Sequence, residues 1–196
     1  MTDVYIVGVG GQGIITASKI IGDAALLAGE EVVLSETHGM AQRGGSVVCT
    51  ARIGRRAGAL IDDRRADVIL SLELLETLRA LCKASKATAV VSSKERIVPL
   101  SVSSQKSRYP TEQEVAERVL REAKSLLLVD AAGTAAGSGV PMSSNIVMVG
   151  ALAGTGLTGL GRTHFEAAIG QNIQRNLAEN MRAFSEGYRL AGERAL

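Results

Sequence analysis

Short apolar runs alternate along this chain with stretches that repeat apolar residues at helical spacing. Val4–Val7 is a β-type run that ends in a glycine turn. Ile14, Ala17, Ile21, Ala24 and Ala28 then mark one helical face and predict a helix over Ile14–Ala28, with Gly29 suited to its end. Glu31–Ser35 reads as a second strand, completing a β-α-β unit expected to be parallel and right-handed. Ser46–Ile53 reads as a strand stopped by Gly54. Ala66–Leu72 is a buried strand, Glu73–Lys83 a helix with Leu74, Leu78 and Leu81 inward, and Ala87–Ser92 a further strand. Ser101–Arg108 is polar and loop-like, and Tyr109-Pro110 stops it. Thr111-x-x-Glu114 forms a capping box before Val115, Val119 and Ala123, and Leu126–Val129 is the last strand, ending at Asp130. Ser144–Gly154 is apolar on nearly all sides, which predicts a helix buried on most faces. A second capping box, Thr163-x-x-Glu166, predicts one long C-terminal helix striped by Phe165, Ile169, Ile173, Leu177, Met181, Phe184 and Tyr188. Core packing is the default use of that stripe, and a subunit interface the other. The alternation predicts an α/β fold, a three-layer Rossmann-like domain with a mostly parallel sheet, spanning 1–196 as a single domain.

Composition narrows the classes. With 22 glycines and 3% aromatics, the core must be built from closely packed Val, Ile, Leu and Ala. A net charge of +2 lacks the basic footprint of a nucleic-acid binder. No basic n-region with an apolar run opens the chain, and no run approaches the roughly 20 apolar residues of a membrane span. The expectation is a soluble, cytoplasmic protein. Cys49, Cys82, His38 and His164 are scattered, too few within one chain for the four thiolates of a [4Fe–4S] cluster or a four-ligand zinc site. Both cysteines stand in apolar contexts and are expected to be buried.

Two glycine strings carry the candidate chemistry. Gly8-x-Gly10-x-x-Gly13 follows a strand and opens a helix, and Glu36 stands ~20 residues further on, where a ribose-binding acid would lie. A tight β-α turn that merely needs small residues gives the same pattern. Gly13 is followed by Ile14-Ile15, which excludes a P-loop, and Glu36 runs straight into Thr37-His38-Gly39, unusual for an NAD site. In the second string His38, Gln42 and Arg43 stand among Gly39, Gly44 and Gly45. Such a loop could bring a cation and hydrogen-bonding groups to a strand's carboxyl end, or be a glycine hairpin whose polar residues cap backbone. Elsewhere Gly-x-Ser-x-Gly is absent and His164 reads as a solvated first-turn residue. Arg52, Arg55, Arg56, Arg64 and Arg65, interrupted by Asp62-Asp63, read as a solvated face, with docking of an acidic partner or phosphate as the other use. Asp130 either positions a ligand or caps the next helix.

Gly8-Val-Gly-Gly-Gln-Gly13 followed by His38-Gly-Met-Ala-Gln-Arg-Gly-Gly-Ser46 resembles the gamma subunit or domain of 2-oxoacid:ferredoxin oxidoreductases. The likeness runs on through Ala66–Glu73, Tyr109-Pro110, Val129-Asp-Ala131, Asn145–Leu152 and Asn180–Gly187, almost the whole chain. The His-Gly-Met-Ala-Gln-Arg-Gly-Gly form is similar to the indolepyruvate branch, whose small beta subunit this piece would be. The resemblance implies oxidative decarboxylation of a 2-oxoacid to an acyl-CoA, with electrons passed to ferredoxin. It places thiamine diphosphate and [4Fe–4S] clusters on a large partner subunit, with coenzyme A as co-substrate and no cofactor bound by this chain alone. It implies that Gly8, Gly10, Gly11, Gln12, Gly13, Gln42, Arg43, Gly44 and Gly45 face that partner's cofactor or the coenzyme A entrance, with His38 a weaker candidate for proton relay. The chain is then inactive alone. A free-standing nucleotide-binding module using Gly8, Gly10, Gly13 and Glu36 is the rival, and an assembly subunit without ligand contact the third reading.

Overall fold

The computed structural model describes residues 1–38, 45–54, 58–98 and 108–193, with His38 described in its backbone only. Six strands form one sheet: β1 (Thr2–Val9), β2 (Val32–His38), β3 (Ser46–Ile53), β4 (Val68–Ser71), β5 (Ala89–Ser93) and β6 (Ser125–Val129), in the order β2-β3-β1-β4-β5-β6. The pairs β1–β4, β4–β5 and β5–β6 are parallel, whereas β3 is antiparallel to both β1 and β2. The expected β-α-β unit therefore keeps its parallel sense, but β3 sits between its two strands. Sequence periodicity reports which face of a strand is buried and says nothing about its neighbour, so this insertion was not legible. Pairing with β3 also carries β2 to His38, opposite Val47, beyond the predicted Ser35.

One face of the sheet is thickly covered. The helices α1 (Ile14–Leu27), α4 (Ala131–Gly137), α5 (Ser144–Gly154), α6 (Arg162–Asn172) and α7 (Leu177–Gly192) pack there with Val4, Ile6, Cys49, Ala51, Leu70 and Val91. The other face carries α2 (Leu74–Arg79), a 3-10 turn over Ala80–Lys83 and α3 (Glu112–Glu122), with Val7, Ile69 and Val90 beneath them. Two faces and two helical layers make the expected three-layer domain. Thr111 and Glu114 form the predicted reciprocal box at the start of α3. Asp130 takes the capping role, its Oδ1 accepting from the Gly133 N–H at 3.0 Å, and so starts α4, a helix that the sequence reading did not mark.

A long C-terminal helix is present over Leu177–Gly192, but it does not run from the predicted Thr163 box: the striped stretch is two helices. The first starts at Arg162 after Gly161, with no side-chain cap. Glu166 pairs with Arg162 at 2.7 Å rather than boxing with Thr163. The break falls at 173–176, where Asn176 takes a left-handed φ of 51°, a conformation that Asn tolerates better than most residues. The break lets each half find its own partner. The first half, α6, packs on α1, where Asn172 Nδ2 donates to Asp23 at 2.7 Å, and α7 lies along α5. Phe165 and Phe184 still meet, ring centroids 6.2 Å apart, so the stripe serves the core from both helices except at Leu177, which is exposed beside the break. The α5–α7 contact is backbone-close: a Cβ at Gly150 would stand 2.1 Å from the Phe184 carbonyl oxygen, and one at Gly187 2.0 Å from that of Val147.

Three other expectations change. Cys49 is buried, but Cys82 is exposed on the 3-10 turn. Arg52 is not solvated: its guanidinium pairs with nearly buried Asp3 and donates to the Gly58 and Leu60 carbonyls at 3.0 Å each. Its reach ties β3 to the Gly58–Leu60 segment; Arg55 and Arg56 lie outside the described residues. His164 is half-buried, with Nδ1 lacking a hydrogen-bond partner, rather than solvated.

Burial pushes the Cys49 thiol up to about 11, with the Glu36 charge adding to the effect. A group raised in the folded state stabilises below its unfolded value, here 9.0, and loses that contribution as pH rises toward the folded value. Stability should therefore fall by about 2–3 kcal/mol between pH 9 and 11 on this account. Urea unfolding across that range should show the decline, and Cys49→Ala should make it shallower. A thiol reagent at pH 8 should label Cys82 alone until the chain is unfolded.

Candidate functional site

At the carboxyl end of β1 the chain must turn within a few residues into α1, and glycines make this feasible. Gly11 (φ 107°) and Gly13 (φ 76°) are left-handed. No atom lies within 4 Å of where a Gly11 side chain would begin, so the turn opens outward. Gly13 caps α1 without a side-chain hydrogen bond, and no acid stands in the first turn. The first amides and the positive end of the helix dipole are left for an external acceptor.

The turn and Thr16 border a cleft of about 620 Å³. Gly11, Gly13 and Thr16 form one wall, the Gly139–Ser143 segment and Asn145 another, and the α6–α7 break with Arg175 and Asn176 the third. Asn145 Nδ2 donates to the Gly13 carbonyl at 3.2 Å, fixing the turn to α5. Arg175 is exposed and makes no ion pair among the described residues. Asn180, also on the lining, is 4% exposed and donates to the Asn176 carbonyl at 2.9 Å, while its Oδ1 has no partner. A helix N-terminus, a hydroxyl and an arginine suit an anionic ligand.

The structure brings the two glycine strings together. Gly10 N–H donates to the Gly45 carbonyl at 2.9 Å, so the second string reaches the sheet beside the first. His38 ends β2 at the same end of the sheet. Gln42, Arg43 and Gly44 lie outside the described residues. The Gln12 backbone borders the cleft, but its side chain turns inward. Oε1 accepts from Val9 N–H at 2.8 Å, and Nε2 donates to the Leu72 carbonyl at 2.8 Å and to Glu95 at 2.7 Å. Gly8 lies beneath, where a Cβ would stand 2.9 Å from Gln12 Oε1. Thus Gln12 occupies the crevice between β1 and β4. Glu36 is exposed on the edge strand β2, and the intervening β3 sets it two strand spacings from β1, about 10 Å instead of about 5 Å.

A second buried cluster supports the same end of the sheet. Glu73, 1% exposed, caps α2: Oε2 accepts from Leu75 and Glu76 N–H at 2.6 and 2.9 Å, and Oε1 accepts from Ile97 N–H at 3.0 Å and from the Tyr109 hydroxyl. Burial, with the Glu73 carboxylate beside it, pushes the Tyr109 phenol well above its ordinary range. Ala66–Glu73 and Tyr109-Pro110, separate strings in the sequence, are thus one contact. Among the described residues no group of three His, Cys, Asp or Glu could hold a metal ion, and no helix is long and apolar enough to cross a membrane.

The family model for pyruvate ferredoxin/flavodoxin oxidoreductase matches residues 3–190. The chain belongs to that family. Among family relatives, the indolepyruvate oxidoreductase subunit IorB of Methanothermobacter thermautotrophicus is 39% identical over 97% of this chain and 98% of its own length. The corresponding subunit of Archaeoglobus fulgidus is 38% identical over 96% and 94%. The crystal structure of a keto/oxoacid ferredoxin oxidoreductase gamma subunit from Geobacter sulfurreducens shares the fold, with a TM-score of 0.71 at 21% identity over 98% and 99% of the two chains. A 2-oxoglutarate:ferredoxin oxidoreductase from Magnetococcus marinus, solved with 2-oxoglutarate, coenzyme A and succinyl-CoA, does so at 0.74 and 21%, over 98% of this chain and 31% of its own. The family strings read from the sequence fall on the observed contacts: Asn145 on the glycine turn, Asn180 on the cleft, Glu73 on Tyr109. Sequence reasoning did not single out Thr16, Arg175 or Glu95. Thr16 and Arg175 lie on helical and polar stretches with no local signal of their own.

Proposed function

We propose that this chain is the small subunit of an indolepyruvate-type 2-oxoacid:ferredoxin oxidoreductase, and that its glycine-turn cleft receives the phosphate end of coenzyme A. The end-to-end match to indolepyruvate oxidoreductase subunits supports the first part. The observation that carries the second is the uncapped α1 N-terminus at a cleft that also holds Thr16 and the exposed Arg175. In this reading a large partner carries thiamine diphosphate and [4Fe–4S] clusters, which supply carbanion and electron-transfer chemistry when bound, and ferredoxin takes the electrons from the complex. This chain's residues bind and orient: α1 amides and Arg175 meet phosphate, and Arg43, in the same string as Gly45, offers a second cation with Gln42 beside it. His38 is assigned no step. The chain alone is inactive, and the complex is cytoplasmic. The rival dinucleotide module is disfavoured by β3, which removes Glu36 from the turn, and by Gln12, which fills the crevice.

In the assembled enzyme Arg175→Ala should raise KM for coenzyme A about tenfold, the usual scale for losing a charge-assisted phosphate contact, with kcat little changed. An unchanged KM would remove this cleft from the coenzyme A path.

A further inference from the structure

A turn built of glycines has little rigidity of its own, so something outside it must fix where its amides point. Among the described residues its external anchors are the Gly45 carbonyl, Asn145 and the partners of the Gln12 side chain. All the hydrogen-bonding capacity of that amide's nitrogen is in use, shared between the Leu72 carbonyl and the Glu95 carboxylate. Both are acceptors. An amide turned the other way would put its oxygen against them and its nitrogen against Val9 N–H. Glu95, which as a carboxylate can only accept, thus specifies the orientation of Gln12. Its own backbone is held on both sides: Glu95 N–H donates to Ser93 Oγ at 3.1 Å, and its carbonyl accepts from Leu74 N–H at 2.9 Å. The carboxylate therefore projects from a fixed point onto the turn, in a charge-assisted bond.

We propose that Glu95 is a positioning residue for the reaction: through Gln12 it holds the glycine turn in the geometry that presents the α1 amides to the cleft. The proposal rests on the reading of that cleft as the coenzyme A site. Glu95 touches no ligand, and its influence passes through one side chain. Glu95→Gln keeps the shape and one acceptor, Glu95→Asp keeps the charge but withdraws it by a methylene, and Glu95→Ala removes the anchor.

The test is made on the complex of this chain with its large partner, with coenzyme A binding by calorimetry and steady-state kinetics side by side. Glu95→Ala should weaken coenzyme A about tenfold in both Kd and KM while kcat at saturation stays within about twofold, the size of one lost bond to a charged group. Glu95→Gln should return both to within about twofold of the parent, and Glu95→Asp should fall between. If the alanine variant does not assemble, the aspartate variant carries the same readout. A complex that assembles less well but binds coenzyme A with parental affinity would overturn the proposal, because Glu95 would then be structural only. If Arg175→Ala weakens coenzyme A and the Glu95 variants do not, positioning fails and the cleft reading stands. If Arg175→Ala and the Glu95 variants all leave coenzyme A binding at the parental value, the cleft reading falls and the positioning proposal with it.

Discussion

Gly187→Ala should yield little folded protein. The added methyl would stand 2.0 Å from the Val147 carbonyl oxygen and 3.0 Å from the Ala151 nitrogen, both backbone atoms of α5. A flexible side chain could move aside; a buried helix backbone cannot without shifting α7 as a body. Gly150 and Gly154 make the matching approaches from α5, to the Phe184 and Tyr188 carbonyls, so α7 has no free direction along this seam. Overpacking of this kind costs about 3 kcal/mol or more, a large share of the stability of a single domain. Gly170, also within a helix, is the control. Nothing lies within 4 Å of its added methyl, so Gly170→Ala should be neutral or stabilising by up to about 1 kcal/mol. Denaturant unfolding of both variants decides it: equal midpoints would mean that α5 and α7 are not in backbone contact.

The second large effect is expected at Glu73. Its carboxylate accepts from three backbone amides and the Tyr109 hydroxyl while itself 1% exposed. Truncation takes the acceptor from Glu76 N–H, Ile97 N–H and the Tyr109 hydroxyl, and leaves Leu75 N–H only its bond to the Tyr109 oxygen at 3.1 Å, so Glu73→Ala should cost about 3 kcal/mol. Glu73→Gln keeps an acceptor oxygen and should recover part of the loss. Amide exchange gives the local readout: Leu75, Glu76 and Ile97 should lose protection together in the alanine variant. Loss at α2 alone, with Ile97 still protected, would contradict the shared clamp.

What the sequence made legible follows from what periodicity reports. Apolar spacing records burial of one face, so the strands, α1, α3 and the buried α5 were readable to within a few residues. It does not record partners. The insertion of β3 beside β1 is set by a pairing register running from Thr2 opposite Ile53 to Val9 opposite Ser46, for which no single strand carries a sign. The stripe from Phe165 to Tyr188 kept its helical phase across the break because both helices serve one core; only the polar run Gln174-Arg175-Asn176 hinted at an interruption. The site was half legible. The glycines announced a turn, and the turn is there. Gln12, in the middle of the string, read as ligand-facing, whereas its side-chain amide is bound within the fold. Glycine patterns show where backbone must bend or come close, and the side chains between them declare their direction only in three dimensions.

The central claim is that this chain completes a 2-oxoacid:ferredoxin oxidoreductase. The direct measurement is anaerobic copurification with the large partner, followed by 2-oxoacid- and coenzyme A-dependent viologen reduction by the pair and by each chain alone. Activity confined to the pair, fastest with arylpyruvates, is the predicted result. Failure to capture an iron–sulfur partner, together with tight NAD(H) binding by the lone chain, would contradict it.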